Sequence, residues 1–592
     1  MKNNILILIL AAFAAVSCSL DYFPSDAMSS SQIKEDPESA VYATDGNYSM
    51  FKDNLDYNGT VMSGNSYMRH YFLMTELRGD NACLSGRTED PLYQALCYND
   101  DSNLYNLTYM WYIAYKIIYG ANTMIESIPE GDPENDHLKG ENYFLRALCH
   151  LDLCTMFAQP YALGRDNPGV VLRTSTDCSV TERATVGAVY DQIVKDLQEA
   201  IRLMGNGTKR GNNGYASKEA AQGLLTRVYL HMGRDEDCIN LVNEMLAGAT
   251  PDSKLDPDYA NLFANSLTSS EVLWCIGCIA SDVTEQRSLL GSMYYSPDAP
   301  GSTGWGEIYW SQPIMDLFGR YPEDVRFSTM AVPYNQQNGY MIYWPVQSSG
   351  EDSNAATSAP EFICYSNNLD LSPTGSETEG WTATYTYEVP NPDDPENPTV
   401  VEEELPVYTE TYNGSGAADP AGEYTRHYVM IDGEKTYATV SEKYGNRQTY
   451  PTMFMKKFSG NDATYPLLCS PIRIRWAEVI LNRAEAYAHL NRDGEALNDV
   501  NVIRRRAQLP ESAMFSESNM HGYTSVLDVV LDERRMELCF EGFRATDLFR
   551  NGKTMDRRFA GVQPWEEVAA GDSRFPFRIP FDEISVSGIP NN

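Results

Sequence analysis

The chain has 592 residues, with 82 Asp and Glu against 45 Lys and Arg, so its formal net charge is −37 at pH 7. Such an acidic surface argues against nucleic acid and anionic lipid as partners, because both bind to clusters of Lys and Arg. A chain of this length is usually divided into more than one domain, although a helical-repeat fold of this length can form a single domain.

The first residues predict export. A basic start at Lys2 is followed by the apolar run Ile5 to Ala12 and by small residues up to Cys18. That run is too short to span a membrane, so we interpret residues 1–17 as a signal peptide. The segment resembles a bacterial lipobox, although Ala15 stands where the pattern prefers Leu, and this resemblance implies lipidation of Cys18. Cleavage by the ordinary signal peptidase is the alternative. No later apolar run is long enough for a transmembrane helix.

Helical periodicity dominates from about Leu104 to Leu246 and returns in the segments 472–509 and 526–549. Thr185 precedes the second of two clear apolar faces and can cap its helix. The two faces consist of Leu104, Leu107, Trp111, Tyr115 and Ile118, and of Val189, Ile193, Leu197 and Ile201.

The segment from about Tyr259 to Pro451 has a different character. Gly, Pro, Ser, Asn and aromatic residues are frequent there, and only short extended runs stand out, such as Thr384 to Val389 and Tyr437 to Val440. We therefore predict an irregular insertion between two helical blocks.

An internal repeat connects the two helical blocks. The segment Tyr229 to Cys238 aligns with Tyr487 to Ala496, and each reads as a helix, a polar turn and the start of a second helix. The small and aromatic positions of the second copy match a tetratricopeptide repeat, in which small residues let paired helices approach closely.

Cysteines and catalytic motifs give little functional signal. The chain has 12 cysteines, so an odd number remains without Cys18. Cys275 and Cys278 form a C-x-x-C in an apolar stretch, where buried structural thiols are a better reading than a zinc site. His150 and Cys154 share a helical face among leucines, which favours packing over a nucleophile pair. The acidic segments 393–396 and 402–404 could attract calcium, but a solvated acidic loop is the preferred interpretation.

The strongest motif lies near the C-terminus. The segment Leu531 to Arg550 reads LDERRMELCFEGFRATDLFR and resembles the signature of the SusD/RagB family of outer-membrane nutrient-binding lipoproteins. Other segments agree with this family in order along the chain, whereas about 347–451 matches nothing in it. The motif charges have mostly helical three- and four-residue offsets, which predicts ion pairs along the helix and a structural role. They are Glu533, Arg534, Glu537, Arg544 and Asp547.

The resemblance implies a mostly α-helical protein, with a tetratricopeptide-like scaffold interrupted by an irregular α/β ligand-binding insertion. We divide the chain into a signal peptide (1–17), an N-terminal helical region (18–258), the loop-rich insertion (259–451) and a C-terminal helical region (452–592). The family further implies a lipid-anchored protein on the outer membrane that faces the exterior. Its expected partners are a glycan and a SusC-like TonB-dependent transporter, with no cofactor and no metal.

Sugar rings stack on aromatic faces while polar groups bind their hydroxyls, so aromatic residues in loops are candidates for ligand binding. Tyr343 and Trp344 are weaker candidates. The predicted ligand-binding residues in such loops are Tyr294, Tyr295, Trp305, Tyr309 and Trp310, and the family resemblance implies a further contact at Tyr98 and Asn99, between two helices.

Two other functions stay open at this stage. A peptide ligand is the first, as the RagB branch of the family suggests. The second is a surface glycoside hydrolase, which would need two carboxylates flanking the bond. Glu307 lies in the aromatic loop but has no evident partner, and the common hydrolase, P-loop and dinucleotide motifs are missing. We therefore expect no enzymatic activity.

Overall fold

A computed structural model describes residues 37–59, 66–84, 91–205, 207–284, 290–294, 306–333, 337–344, 369–371, 381–391, 397–414, 422–444, 453–462, 464–559 and 561–592. The signal peptide and Cys18 lie outside these residues. No helix within them is both long enough and apolar enough to cross a membrane.

The described part of the chain is about half helical and contains 18 α-helices. They are α1 (Pro37–Ser49), α2 (Tyr67–Leu77), α3 (Pro91–Leu96), α4 (Tyr105–Ser127), α5 (Pro133–Phe157), α6 (Val186–Met204), α7 (Lys218–His231), α8 (Asp235–Leu246), α9 (Tyr259–Ala264), α10 (Ala280–Thr284), α11 (Leu290–Tyr294), α12 (Gln312–Gly319), α13 (Val325–Met330), α14 (Trp476–His489), α15 (Asp493–Arg506), α16 (Val526–Leu538), α17 (Arg544–Arg550) and α18 (Phe581–Ser587).

The strands are short except in one sheet. They are β1 (Ala82–Leu84), β2 (Pro168–Val171), β3 (Arg183–Thr185), β4 (Val272–Cys275), β5 (Ile308–Trp310), β6 (Ala331–Pro333), β7 (Gln337–Tyr343), β8 (Leu369–Leu371), β9 (Trp381–Val389), β10 (Thr399–Gly414), β11 (Gly422–Ile431), β12 (Glu434–Tyr444), β13 (Met453–Met455), β14 (Ile472–Arg475), β15 (Met555–Asp556) and β16 (Glu567–Val568).

Consecutive helices from α4 to α8 pack in sequence, and α14 packs on α15, α7 and α8. Local signals set their starts. Thr185 caps α6 by accepting a hydrogen bond from Ala188 N at 3.2 Å, as predicted, and Asp132 caps α5 with Pro133 at the first helical position. The predicted apolar face of α4 is confirmed, since Leu107, Trp111 and Ile118 are buried.

The two copies of the repeat have the same backbone turn. Gly233 and Asn491 adopt φ values of 68° and 57°, and the amides of Arg234 and Arg492 donate to the carbonyls five residues earlier, both at 2.8 Å. Each arginine also lies over the tyrosine that precedes its turn, at 4.3 Å and 4.5 Å from the ring centroid. The predicted tetratricopeptide-like helical scaffold is confirmed.

The two helical blocks share one core. β14 pairs antiparallel with β4 and leads directly into α14, while one continuous set of buried apolar residues extends from Phe51 to Ile589. Cys275 and Cys278 are both buried at this junction, as the sequence indicated. The domain boundaries at residues 258 and 451 stay predictions.

The insertion contains more regular structure than the sequence indicated. An antiparallel six-stranded sheet has the order β7-β12-β11-β10-β9-β8, and β10 alone has 16 residues. β10 pairs with β9 through its first half and with β11 through its second half. The expectation of only short extended runs was wrong, because the frequent Thr, Val and Tyr residues of β9 and β10 favour strands.

Candidate functional site

Tyr98 is a core residue in this structure. Its exposed fraction is 4%, its φ is 57°, and its hydroxyl donates to the carbonyl oxygen of Arg78. The Arg78 guanidinium lies 4.3 Å from the Tyr98 ring centroid and also pairs with buried Asp100. The ring therefore packs on the guanidinium of Arg78, while the neighbouring Asn99 is exposed.

The predicted aromatic cluster is also mostly internal. Tyr294, Tyr309 and Trp310 have exposed fractions of 0–1%. Tyr294 and Trp310 meet at Phe540, with ring centroids 5.8 Å and 4.8 Å away, and Trp310 Nε1 donates to Phe454 O at 3.2 Å. As placed, these rings lack an open face for a sugar, contrary to the expectation. The pairing of β5 with β1 holds Tyr309 and Trp310 inside the core, and Tyr294, in α11, packs on Phe458 and Phe540.

The remaining aromatic candidates are Tyr295, Trp305 and Trp344. Tyr295 and Trp305 lie outside the described residues, so their ligand contacts stay a prediction. Trp344 is buried against the apolar face of the large sheet.

The motif charges form a buried network between helices. Arg475 contacts Glu271, Glu537 and Glu541, with distances of 3.0, 2.5 and 2.9 Å. Burial raises the pKa of Glu537, but Arg506, Arg475 and Arg326 outweigh it, so the pKa lies well below its usual range. These groups hold the scaffold together, which agrees with the structural role predicted for the motif.

The predicted pairing within the motif was wrong in one respect. Arg544 does not pair with Asp547; its Nε contacts Asp80 Oδ1 at 2.8 Å. Asp547 instead accepts from Arg534 and Arg550, at 2.9 and 2.8 Å. Arg550 is at the helical three-residue offset from Asp547, but helical offset cannot reveal the partner of Arg544, since Asp80 is 464 residues away in the chain.

The backbone of Gly542 explains the glycine in this motif. Its φ is 81°, and a Cβ there would overlap the Thr75 hydroxyl oxygen. Its amide donates to Glu76 Oε2 at 2.9 Å. Only glycine lets the C-terminal block approach α2 this closely.

His150 and Cys154 are buried side chains with a structural role. His150 Nδ1 contacts Arg146 O at 3.0 Å, and its Nε2 accepts from Arg173 N at 3.3 Å. Burial lowers the pKa of His150 to about 3 and raises that of Cys154 to about 12, so neither group is primed for nucleophilic chemistry. Within the described residues, no group of three or more His, Cys, Asp or Glu side chains is arranged to hold a metal ion.

A different set of aromatics reaches the surface, which we call the Tyr57 patch: Tyr57, Tyr109, Tyr112, Lys116 and Asp582. Tyr57 and Tyr112 are half-buried with ring centroids 4.9 Å apart, and Tyr109 lies beneath them, 5.5 Å from Tyr57. Lys116 Nζ donates to the Tyr112 hydroxyl at 3.3 Å, and the Tyr57 hydroxyl donates to Asp582.

Three separate elements build this patch. Tyr57 lies in a turn in which Gly59 N donates to Asp56 Oδ1 at 2.8 Å. Tyr109 and Tyr112 project from α4, and Asp582 lies in the first turn of α18, where the helix dipole favours a carboxylate. Burial and the hydrogen bond to Asp582 raise the pKa of Tyr57 to about 12, so its hydroxyl stays protonated as a donor.

The patch has the chemistry that sugar recognition requires, since ring faces suit the C–H face of a pyranose and a carboxylate accepts from its hydroxyls. Sequence reasoning missed it because Tyr57 and Asp582 are 525 residues apart. One signal was available. Tyr105, Tyr112 and Tyr119 recur every seven residues along α4, about 100° around the helix from its apolar face, where they remain wholly or partly exposed.

Comparison with known proteins identifies the family. A model described as the SusD family matches residues 270–576, and one described as starch-binding associating with the outer membrane matches residues 41–230. The chain belongs to the SusD family. The resemblance identified in the C-terminal motif is thereby confirmed.

Relatives agree with this assignment. A SusD-like protein of Formosa agariphila is 23% identical over 505 residues, which cover 83% of this chain and 81% of that protein. A solved SusD superfamily protein from Bacteroides thetaiotaomicron has a TM-score of 0.65 at 20% identity, covering 94% of this chain and 99% of that one. Surface glycan-binding protein A from Bacteroides fluxus has a TM-score of 0.58 at 16% identity, with coverages of 94% and 99%. These structures show the SusD fold.

Proposed function

We propose that this SusD-family protein is a non-catalytic, lipid-anchored receptor that captures an oligo- or polysaccharide at the cell surface. It delivers this ligand to a SusC-like TonB-dependent transporter. Family membership, the surface glycan-binding protein among its structural relatives and the outer-membrane description of the N-terminal match support this function. The lipobox-like segment ending at Cys18 supports the anchor.

The observation that carries the proposal is the Tyr57 patch. A receptor for sugars needs partly exposed ring faces beside fixed polar groups, and Tyr57 and Tyr112 provide the rings. Asp582 and Lys116 provide an acceptor and a donor within contact of those rings. Asn99, Tyr295 and Trp305 stay candidates for further contacts to the same ligand.

Binding without cleavage is consistent with the carboxylates of this surface. Asp582 accepts from Tyr57, and Glu583 accepts from Trp111 Nε1 at 3.2 Å and from Ser587. Hydrogen-bonding aromatic and hydroxyl groups anchor both side chains, which suits ligand orientation. A glycosidase instead needs one acid and one base poised across the scissile bond.

The test is a glycan array probed with the soluble chain that starts after Cys18, followed by calorimetry and an assay for released reducing ends. We expect saturable binding of one polysaccharide family without cleavage. Tyr57→Ala is expected to weaken binding about tenfold, because it removes one stacking ring. Tyr57→Phe isolates the part contributed by the hydroxyl and Asp582.

Tyr42→Ala is the matched control, since Tyr42 is an exposed tyrosine on α1, outside the patch. Equal affinity of Tyr57→Ala and the parent protein for the identified glycan would remove the patch from the proposal. Binding of peptides instead of glycans, or release of reducing ends, would overturn the function itself. Co-purification of the lipidated protein with its transporter tests the delivery step.

A further inference from the structure

The large sheet of the insertion has an unusual solvent-facing side, which we call the sheet tyrosine face. The register places Tyr408 opposite Tyr428 and Tyr428 opposite Tyr437, while Tyr412 lies opposite Tyr424. Directly opposed residues of an antiparallel pair share a face, so all five rings project from the same side. Tyr408 and Tyr437 are 42% and 44% exposed.

The other side of this sheet already supplies its apolar core. Ile342, Trp344, Ala383, Leu405 and Val429 are buried there, whereas Thr409 and Thr411, on the same side of β10 but nearer its end, are exposed. Once one face is covered, the solvated face of an antiparallel sheet is ordinarily polar. Cross-strand ring pairs stabilise strands, but that role does not require five tyrosines around exposed ring surface. The exposed aromatic surface is larger than strand stabilisation requires, which points to a ligand.

The charges among these rings are mainly positive, in a protein with a strongly negative total charge. The Arg426 guanidinium lies 3.4 Å from the Tyr412 ring centroid and 4.8 Å from that of Tyr437. Lys435 Nζ lies 4.3 Å from the Tyr428 centroid. Glu410, which pairs with Lys435 at 2.5 Å, is the acidic residue between them.

Acidic residues are displaced toward the other end of β10. Glu402 and Glu404 alternate in phase with Tyr408, so they project from the same side, but they lie opposite β9 and not β11. The face thus has an aromatic, cationic end and an acidic end. A polymer that crosses the sheet over β10, β11 and β12 meets the cationic end alone.

We propose that the sheet tyrosine face is a second carbohydrate-binding surface, selective for an acidic polysaccharide that carries uronate or sulfate groups. Sugar rings lie on Tyr408 and Tyr437, and Arg426 and Lys435 contact the anionic groups. Arg426 and Lys435 outnumber Glu410 at this end of the face, so charge complementarity favours the acidic class. The surface is separate from the Tyr57 patch and rests on the proposed function only in that its ligand is a glycan.

The experiment uses the soluble chain that starts after Cys18 and measures its affinity for polygalacturonate, chondroitin sulfate and neutral dextran. Arg426→Ala and Tyr437→Ala are each expected to weaken binding of an acidic polymer about tenfold. Thr411→Ala is the matched control, since Thr411 is exposed on β10 but projects from the opposite side. Thermal melts verify that each variant is folded.

Salt provides the second readout, because screening weakens contacts between charged groups at the surface. Binding that falls steeply between about 0.02 and 0.2 M NaCl and is insensitive to Tyr57→Ala supports the proposal. Failure to bind either acidic polymer would overturn it, while binding of a glycan at the Tyr57 patch would leave the proposed function standing. Equal, salt-insensitive binding of dextran would overturn the selectivity. Loss of transporter co-purification in the variants, with glycan affinity unchanged, would instead make the face a protein interface and overturn the proposal.

Discussion

Arg473 and Asp152, 321 residues apart in the chain, form a buried ion pair in which Arg473 Nη2 contacts both carboxylate oxygens at 2.7 and 2.9 Å. The Tyr67 hydroxyl donates to the same carboxylate at 2.6 Å, and the guanidinium lies 3.5 Å from the Tyr71 ring centroid. The pair joins α5 of the N-terminal block to β14 of the C-terminal block. The pair thus connects the N-terminal and C-terminal helical blocks, which the large insertion separates in sequence.

Removing the charge of Asp152 should destabilise the protein strongly. Asp152→Asn leaves Arg473 buried without its counter-ion, and loss of one member of a buried pair costs about 3–5 kcal/mol. The midpoint of urea unfolding measures the effect. Asp191→Asn is the control, because the Arg165–Asp191 pair at 2.9 Å is more than half exposed and contributes at most about 1 kcal/mol. Equal shifts for the two variants would contradict this role of the pair.

Acid should unfold this protein through its paired carboxyl groups. Burial raises the pKa of Asp547, but Arg534 and Arg550 outweigh it, and the pKa of Glu537 is lowered by its arginines in the same way. Because the folded-state pKa values are depressed, the unfolded chain binds more protons in acid. The resulting stabilisation is complete above the unfolded value of about 4 and is lost as the pH falls through the folded-state values.

The free energy of unfolding should therefore decrease from about pH 5 toward pH 2. Asp547→Asn should be less stable at neutral pH and should show a shallower decrease in acid. Urea titrations at a series of pH values measure both slopes. An unchanged slope in the variant would mean that Asp547 does not carry its charge in the folded protein.

The repeat turn allows a test of backbone conformation. Gly233 has a φ of 68° and open space where a Cβ would lie, so Gly233→Ala should cost about 1–2 kcal/mol from conformation alone. Gly233→Asn should cost less, since Asn491 occupies the equivalent place in the second copy. Gly211 also has open space but no left-handed backbone, so Gly211→Ala is the control. Thermal denaturation of the three variants ranks the costs.

The reactivity of the thiols should follow their burial. Cys178 is exposed, whereas the nine other cysteines in the described residues are buried. In a native-state titration with a thiol reagent, Cys178→Ser should therefore remove one rapidly reacting group. Cys154→Ser should leave the fast phase unchanged, because burial raises the pKa of Cys154 to about 12. Loss of a fast thiol in the Cys154 variant would show that its helix opens.

The sequence by itself predicted the helices, the cap at Thr185 and the repeated turn, because these depend on residues within one or two helical turns of each other. It also predicted the family, since the motif around Glu537 and Gly542 is contiguous. The Tyr57 patch and the sheet tyrosine face did not emerge in this way. The first needs α4 beside α18, and the second needs a register between strands that the periodicity of each strand leaves open.

Tertiary structure alone decided which aromatics are internal and which charges are partners. Tyr294, Tyr309 and Trp310 lie next to Gly-rich segments, which favoured exposure, yet the pairing of β5 with β1 places Tyr309 and Trp310 in the core. Arg544 pairs with Asp80 and not with Asp547, because α17 packs against the end of α2. The periodicity of the sequence predicts only contacts between residues that are a few positions apart in the chain. The partners of a buried ring or charge depend on how distant segments of the chain pack together.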